Sequence, residues 1–333
     1  MTKDQIGAER SVTVFGGSGF VGRHVVRALA RDDWRVRVAC RRPDLAYYLQ
    51  PLGAPGQIAA VQANLRNPES IVAALRGADA VVNLVGILAE TGTQKFSSLH
   101  VQGARIVAQA AKALGITNFV QISAIGADPQ SSSVYGRTKA EGEVAVLENI
   151  PSAVIIRPSV IFGPEDDFFN RFATLARYFP IIPIVGGETK FQPVYVEDVA
   201  DAVALALGGG AKPGEIYELG GPEQKTFIEL VEYVLEVTER DRRLVSLSFG
   251  FGKAVASIMQ LLTTLSQGLF PKLLRMTTDQ VELLRHDNVV SESAKAEGRT
   301  FAGLGIQPEA IETIVPSYLF RYRKTGQYQG QRS

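Results

Sequence analysis

Short apolar runs rich in β-branched residues alternate with longer amphipathic stretches over the first 160 residues. A strand inside a parallel sheet is buried on both faces and reads as a continuous apolar run. The helix that crosses over to the next strand carries a single apolar stripe, so the alternation predicts successive β-α-β units. Strands are expected near Val12–Phe15, Arg35–Ala39, Ile58–Gln62, Ala80–Val85, Phe119–Ser123 and Ala153–Arg157. Between them Val21, Val25 and Leu29 recur every four residues. A later helix carries Val101, Arg105 and Gln109 on one face and Ile106, Ala110 and Leu114 on the other. The fold class predicted is α/β, a doubly wound parallel sheet of Rossmann type.

Beyond Pro164 the regularity weakens, and Pro180, Pro183 and Gly186-Gly187 interrupt the chain. The expected division is a dinucleotide-binding domain over 10–165, its sheet completed by 191–220. A smaller C-terminal lobe for substrate or partner is built from 166–190 and 221–325, and a loose Gly- and Gln-rich tail spans 326–333. Thr226 reads as the N-cap of a helix from Phe227 to about Val237. Within residues 254–274, the stretch 254–269 forms an uncharged amphipathic segment. Val255, Ile258, Met259, Leu262, Leu265 and Leu269 occupy one face, and Ser257, Gln260, Thr263, Thr264 and Gln267 the other. It is too polar for the roughly 20 apolar residues of a membrane span. Its cover is the chain's own lobe, a partner or a membrane, and Lys253, Lys272 and Arg275 flank it as they would beside lipid headgroups.

Composition narrows the function. The 333 residues carry 35 Lys+Arg against 34 Asp+Glu, a net charge of +1, so no global basic field draws the chain to nucleic acid. One cysteine, Cys40, makes no intrachain disulfide, and His24, His100 and His286 lack metal-ligand spacing. No metal is expected. The charged first ten residues lack the apolar core of a secretory leader, so the expected location is cytoplasmic.

The first chemical signal is Gly16-Gly17-Ser18-Gly19-Phe20-Val21-Gly22-Arg23, placed between a strand and a helix. Gly16 permits a sharp turn, Gly19 a close approach of backbone to pyrophosphate, and Gly22 tight packing of helix on strand. The helix N-terminus offers free N–H groups to the phosphates, and Arg23 stands one residue further on. After the second strand, where NAD-specific folds carry an acidic residue for the ribose 2′-hydroxyl, stand Cys40-Arg41-Arg42. Arg41 and Arg42 suit a 2′-phosphate, which favours NADPH over NADH.

The second signal is Tyr135-Gly136-Arg137-Thr138-Lys139 after the fifth strand. With Ser133 opening a helix, Tyr135 and Lys139 share one face at i and i+4. A tyrosine of reference pKa about 10 serves as acid or base near neutrality only if nearby positive charge stabilises its phenolate, and an ammonium and an oxidised nicotinamide are candidates.

These motifs, with Asn64-Leu65, Asn83-Leu84-Val85-Gly86, Arg157-Pro158 and Pro193–Ala200, resemble the extended and atypical short-chain dehydrogenases over roughly residues 10–225. The resemblance implies Tyr135 as acid/base, Lys139 as ribose ligand that lowers the tyrosine pKa, Asn64 and Leu65 at the adenine, and Val85, Gly86 and Pro158 along the cofactor. The family ends its fifth strand in a serine doublet, whose second hydroxyl polarises the substrate carbonyl. Here Ser123-Ala124 stand instead. Ser123, or a hydroxyl among Ser131–Ser133, is left to take that role, or the cofactor is bound and idle.

Residues 131–143, 155–173 and 191–203, with Leu283–Asn288 and Gly303–Ile306, are most similar to the nucleotide-binding accessory subunits of respiratory complex I and their bacterial relatives. That resemblance implies a structural NADPH outside the electron path, complex I subunits or the membrane surface as partners, and a peripheral place on the cytoplasmic face of the inner membrane. The same motifs leave open a free-standing reductase or epimerase for a carbonyl, sugar-nucleotide or quinone-pathway substrate, and an NADPH-sensing regulator.

Overall fold

Val12, Val14, Val38, Val81 and Val82 are fully buried in the centre of the sheet, as strands covered on both faces require. The computed structural model describes residues 10–266 and 271–324. The first six strands are β1 (Ser11–Phe15), β2 (Arg35–Cys40), β3 (Ile58–Gln62), β4 (Ala80–Asn83), β5 (Asn118–Ile122) and β6 (Val154–Pro158). They lie in the order β3-β2-β1-β4-β5-β6, with the strand Ile216–Leu219 beside β6, and every neighbouring pair is parallel. This is the doubly wound α/β fold that the alternation predicts. The order reverses between β1 and β4, where such sheets open their ligand crevice.

Helices cover both faces. α1 (Phe20–Arg31) packs with α6 (Val196–Leu207) on one side, and α2 (Pro68–Leu75), α3 (Ala104–Ala113) and α4 (Val134–Leu147) lie on the other. β4 ends two residues before the expected Val85. The Asn83 amide donates to Gln121 Oε1 at 2.8 Å and its oxygen accepts from Val85 N–H at 3.2 Å, which draws the chain out of the sheet. Just before α3 the chain forms a π-helical turn over Ser97–Gly103, a widening frequent at functional sites.

The second lobe has its own core, in which Phe162, Phe169, Ile182, Ile184, Leu230 and Val234 pack together. α5 (Phe168–Tyr178) and α7 (Phe227–Val237) flank it. Thr226 caps α7 in a reciprocal box with Glu229. The strands Ile181–Val185 and Arg243–Leu247 pair in parallel and lead into α8 (Phe249–Leu265) and α9 (Thr278–Leu283).

α8 sits in a different register from the one its pattern suggested. Val255 and Met259 turn inward, while Ile258, Leu261, Leu262 and Leu265 are 59%, 58%, 44% and 70% exposed. On the polar side, Gln260 Oε1 accepts from Thr278 at the start of α9, and Thr263 is half-buried. The anchor Gly252 sets this register, because a Cβ there would lie 2.7 Å from a Val185 methyl. Lys253, expected to flank a lipid surface, is paired with Glu282 at 2.8 Å. Gln267 and Leu269 of the predicted faces, the side chain of Lys272 and the tail 326–333 lie outside the described residues. No described helix is long and apolar enough to cross a membrane.

Candidate functional site

At the end of β1 the chain turns through Gly16 at φ +81°, and Gly19 N–H donates to Gly16 O at 3.0 Å. Gly19 is the N-cap of α1 and no side chain caps it, so the first-turn amides are free for an anion. Gly22 makes the turn possible: a Cβ there would collide with the Gly16 carbonyl oxygen and lie 2.6 Å from Gly17 Cα. Gly16, Ser18, Gly19, Phe20, Val21 and Gly22 line a cleft, whereas Gly17 packs against Val14, Val26 and Val38. Arg23 points elsewhere, pairing with Glu165 at 3.2 Å and lying over the Tyr48 ring.

The two arginines after β2 separate. Arg41 lines the cleft and makes no ion pair with another described residue. Arg42 turns away to Asp44 at 2.7 Å, on the surface. Asn64, Leu65, Val85, Gly86 and Pro158 line the same cleft. Asn64 Oδ1 holds its own turn by accepting from Arg66 N–H at 3.1 Å.

At the inner end Ser123, Ala124, Tyr135 and Lys139 meet in one cavity. Ser123 is 4% exposed, and its Oγ is buried without a hydrogen-bond partner. A buried hydroxyl left unmatched costs about 1–3 kcal/mol, and the residue that carries this one borders the cavity. Lys139 Nζ donates to Ile122 O at 3.4 Å, and burial lowers its pKa to about 8. Burial pushes the Tyr135 phenol up to about 12, opposite to the lowering that acid/base work requires. Lys139 Nζ lies 5.8 Å from the Tyr135 ring centre. The Lys139 ammonium, and an oxidised nicotinamide if one were bound, are the positive charges that could oppose this rise. Ser131 and Ser132 also line the cavity, but Ser133 caps α4 and is committed to Asp279.

Two residues outside the sequence motifs hold this end together. His100, on the π-helical turn, accepts from Ile87 N–H at Nε2 (3.1 Å) and meets Thr138 Oγ1 at Nδ1 (3.1 Å). Thr138 Oγ1 in turn donates to Val134 O, so the imidazole is neutral with its proton on Nδ1. Burial, with the Lys139 ammonium nearby, keeps its pKa near 3. It ties the loop after β4 to α4 and meets the Tyr135 ring edge-on at 5.4 Å. Asp279 reaches over from α9 and accepts from Ser133 Oγ, Val134 N–H and Tyr135 N–H at 2.9, 2.6 and 3.1 Å. The second lobe therefore caps the helix that carries Tyr135. A lone histidine and an aspartate 146 positions from its partner carry no spacing signal that sequence alone could use.

The residues present fit a dinucleotide: an uncapped helix start, a turn that excludes a Cβ, a guanidinium on the cleft wall with no ion pair among the described residues, and a buried hydroxyl without a partner at the inner end. Cleft and inner chamber form one continuous cavity of about 1520 Å³ that runs on into the second lobe.

Residues 12–220 match the model of the NAD dependent epimerase/dehydratase family. The chain is 35% identical over 318 residues to the mitochondrial NADH dehydrogenase (ubiquinone) 1 alpha subcomplex subunit 9 of Arabidopsis thaliana, covering 94% of this chain and 78% of that one. It is 32% identical to the mitochondrial NADH-ubiquinone oxidoreductase 40 kDa subunit of Neurospora crassa, covering 96% and 81%. Among solved structures it shares the fold of the NADPH-dependent quinone oxidoreductase QOR2 of Escherichia coli complexed with NADPH. There the TM-score is 0.71 and the identity 20%, over 93% of this chain and 99% of that one.

Proposed function

Because the chain belongs to the NAD dependent epimerase/dehydratase family, and is an NAD(P)-binding protein of short-chain-dehydrogenase type, we propose that it is a peripheral accessory subunit of respiratory complex I that holds NADPH as a structural cofactor. One observation carries the subunit reading. The epimerase match ends at residue 220, whereas the likeness to the plant subunit takes in 94% of the chain and so runs through the C-terminal lobe. In this fold that lobe, rather than the sheet, decides what is bound.

NADPH is preferred over NADH because Arg41 lines the cleft beside the end of β2 and no carboxylate takes the ribose position. Gly16, Gly19 and the start of α1 receive the pyrophosphate, and Lys139 the nicotinamide ribose. When bound, the cofactor supplies a hydride. What the chain supplies beside it is a phenol that stays protonated and a strand end where Ala124 offers no hydroxyl. That combination suits retention of the nucleotide better than turnover. Attachment uses the exposed apolar face of α8, since contiguous exposed apolar surface on a folded chain marks an interaction site.

The unpartnered Ser123 hydroxyl favours a second reading, slow carbonyl reduction at the same site with Tyr135 as proton donor. Purification from the native membrane separates the two. The accessory-subunit reading expects bound NADPH in near-stoichiometric amount and co-purifying complex I subunits. A chain that comes alone, and oxidises NADPH on small carbonyls at about 1 per second or faster in a Tyr135-dependent way, is the reductase.

A further inference from the structure

Past Ser123 and Tyr135 the cavity changes character. Phe168, Phe172 and Phe227 stand ring against ring, with centres 5.4 to 5.8 Å apart, and form one wall. Ile182, Met259 and Met276 also line this chamber. Arg171 reaches it too, with Nε and one terminal nitrogen donating to the carbonyls of Leu273 and Arg275 at 3.2 and 2.6 Å. Phe179 and Ile181, 37% and 51% exposed, line both the cavity and the outer surface, so its rim is apolar. Against the phenylalanine wall itself a sugar or phosphate would lose its water without gaining partners. The whole cavity, at about 1520 Å³, exceeds the roughly 300–1,000 Å³ of an ordinary ligand pocket and leaves room beside a nucleotide.

From these walls we infer that the chamber binds a lipid with one long hydrocarbon chain and a carbonyl at its polar end. The chain lies between the phenylalanine wall and Met259, and the carbonyl oxygen accepts from the orphaned Ser123 hydroxyl. The head position rests on the reading of the cleft as a nucleotide site. The chain position does not, because its lining comes from the second lobe.

The test is calorimetric titration of 2-alkanones, from 2-heptanone to 2-tridecanone, into the full chain with and without saturating NADPH. Each methylene buried in the chamber should tighten binding about three- to fourfold. Ile181→Lys sits at the exposed rim and should fold normally. It should weaken 2-tridecanone at least tenfold while leaving NADPH affinity unchanged. Affinity independent of chain length in the parent, or a 2-tridecanone affinity unaltered by Ile181→Lys, overturns the inference. Failure of NADPH to bind while the chain-length dependence persists overturns the nucleotide reading and leaves the chamber standing.

Discussion

α1 and α8 are both amphipathic helices, yet the chain treats them differently. α1 has 12 residues, of which Gly22, His24, Val25, Val26, Ala28, Leu29 and Ala30 are buried, and its N-terminus closes the glycine turn. α8 has 17 residues, and Gly252 and Ala256 are its buried ones, while four leucines and isoleucines on it stand in the open. Apolar area left exposed forgoes about 25 cal/mol per Å² of burial. The difference teaches that the nucleotide half covers its own helix, whereas the second lobe leaves one face of α8 uncovered among the described residues. Substitutions in the first should cost folding or nucleotide, and substitutions on the outer face of α8 should cost association alone.

The largest effect should come from the ion pair on the sheet side. Arg157 is bidentate with Glu143 at 2.6 and 2.9 Å, and the Glu143 carboxylate is 4% exposed. Glu143→Ala leaves the guanidinium without that partner and should lower stability by about 3–5 kcal/mol in denaturant melts. A loss below 1 kcal/mol would mean that the nucleotide half is less self-contained than α1 suggests.

Gly22→Ala should come next, because its Cβ must displace the Gly16 carbonyl. NADPH affinity should fall about a hundredfold, with a stability loss of about 1–3 kcal/mol. Retention of parent affinity would show that the turn is not the phosphate cradle. Arg41→Ala should weaken NADPH ten- to a hundredfold and leave NADH almost unchanged, and equal affinities of the parent for the two nucleotides would remove the basis for NADPH.

Asp279→Asn tests the seam between the two halves. It removes an ionised acceptor from three donors at the start of α4. The expected cost is about 1 kcal/mol, read as a shift of about 2 °C in melting temperature. An unchanged melt would mean that the second lobe does not brace Tyr135.

The contrast between the two helices also explains what could be read in advance. Continuous runs such as Val12–Phe15 and the Gly16–Gly22 spacing report local geometry, so the strands and the glycine turn are legible in the chain, and the fold follows from their alternation. The inner end of the site was less visible. Tyr135 and Lys139 come from one helix turn, but His100 and Asp279 reach them from a π-helical turn and from α9, through contacts that leave no periodic trace. The separate fates of Arg41 and Arg42 depend on Asp44, two residues on. In α8 the pattern gave an apolar stripe but not its register, because Gly252 against Val185 sets the rotation. With that contact in place, Gln260 of the polar face accepts from Thr278 and Thr263 is half-buried.

The smallest stability effect carries the most weight. Leu261→Glu with Leu265→Glu places two charges on residues that are 58% and 70% exposed. At a water-facing surface this costs within about 0.5 kcal/mol per site. At an interface with a membrane-bound complex the charges must be desolvated, and association should be lost. The measurement is the melting temperature of the purified double variant set against its recovery with complex I subunits in the membrane fraction. The account predicts a parent-like melt, parent-like NADPH binding and loss of co-sedimentation; a variant that melts normally and still co-sediments like the parent contradicts it.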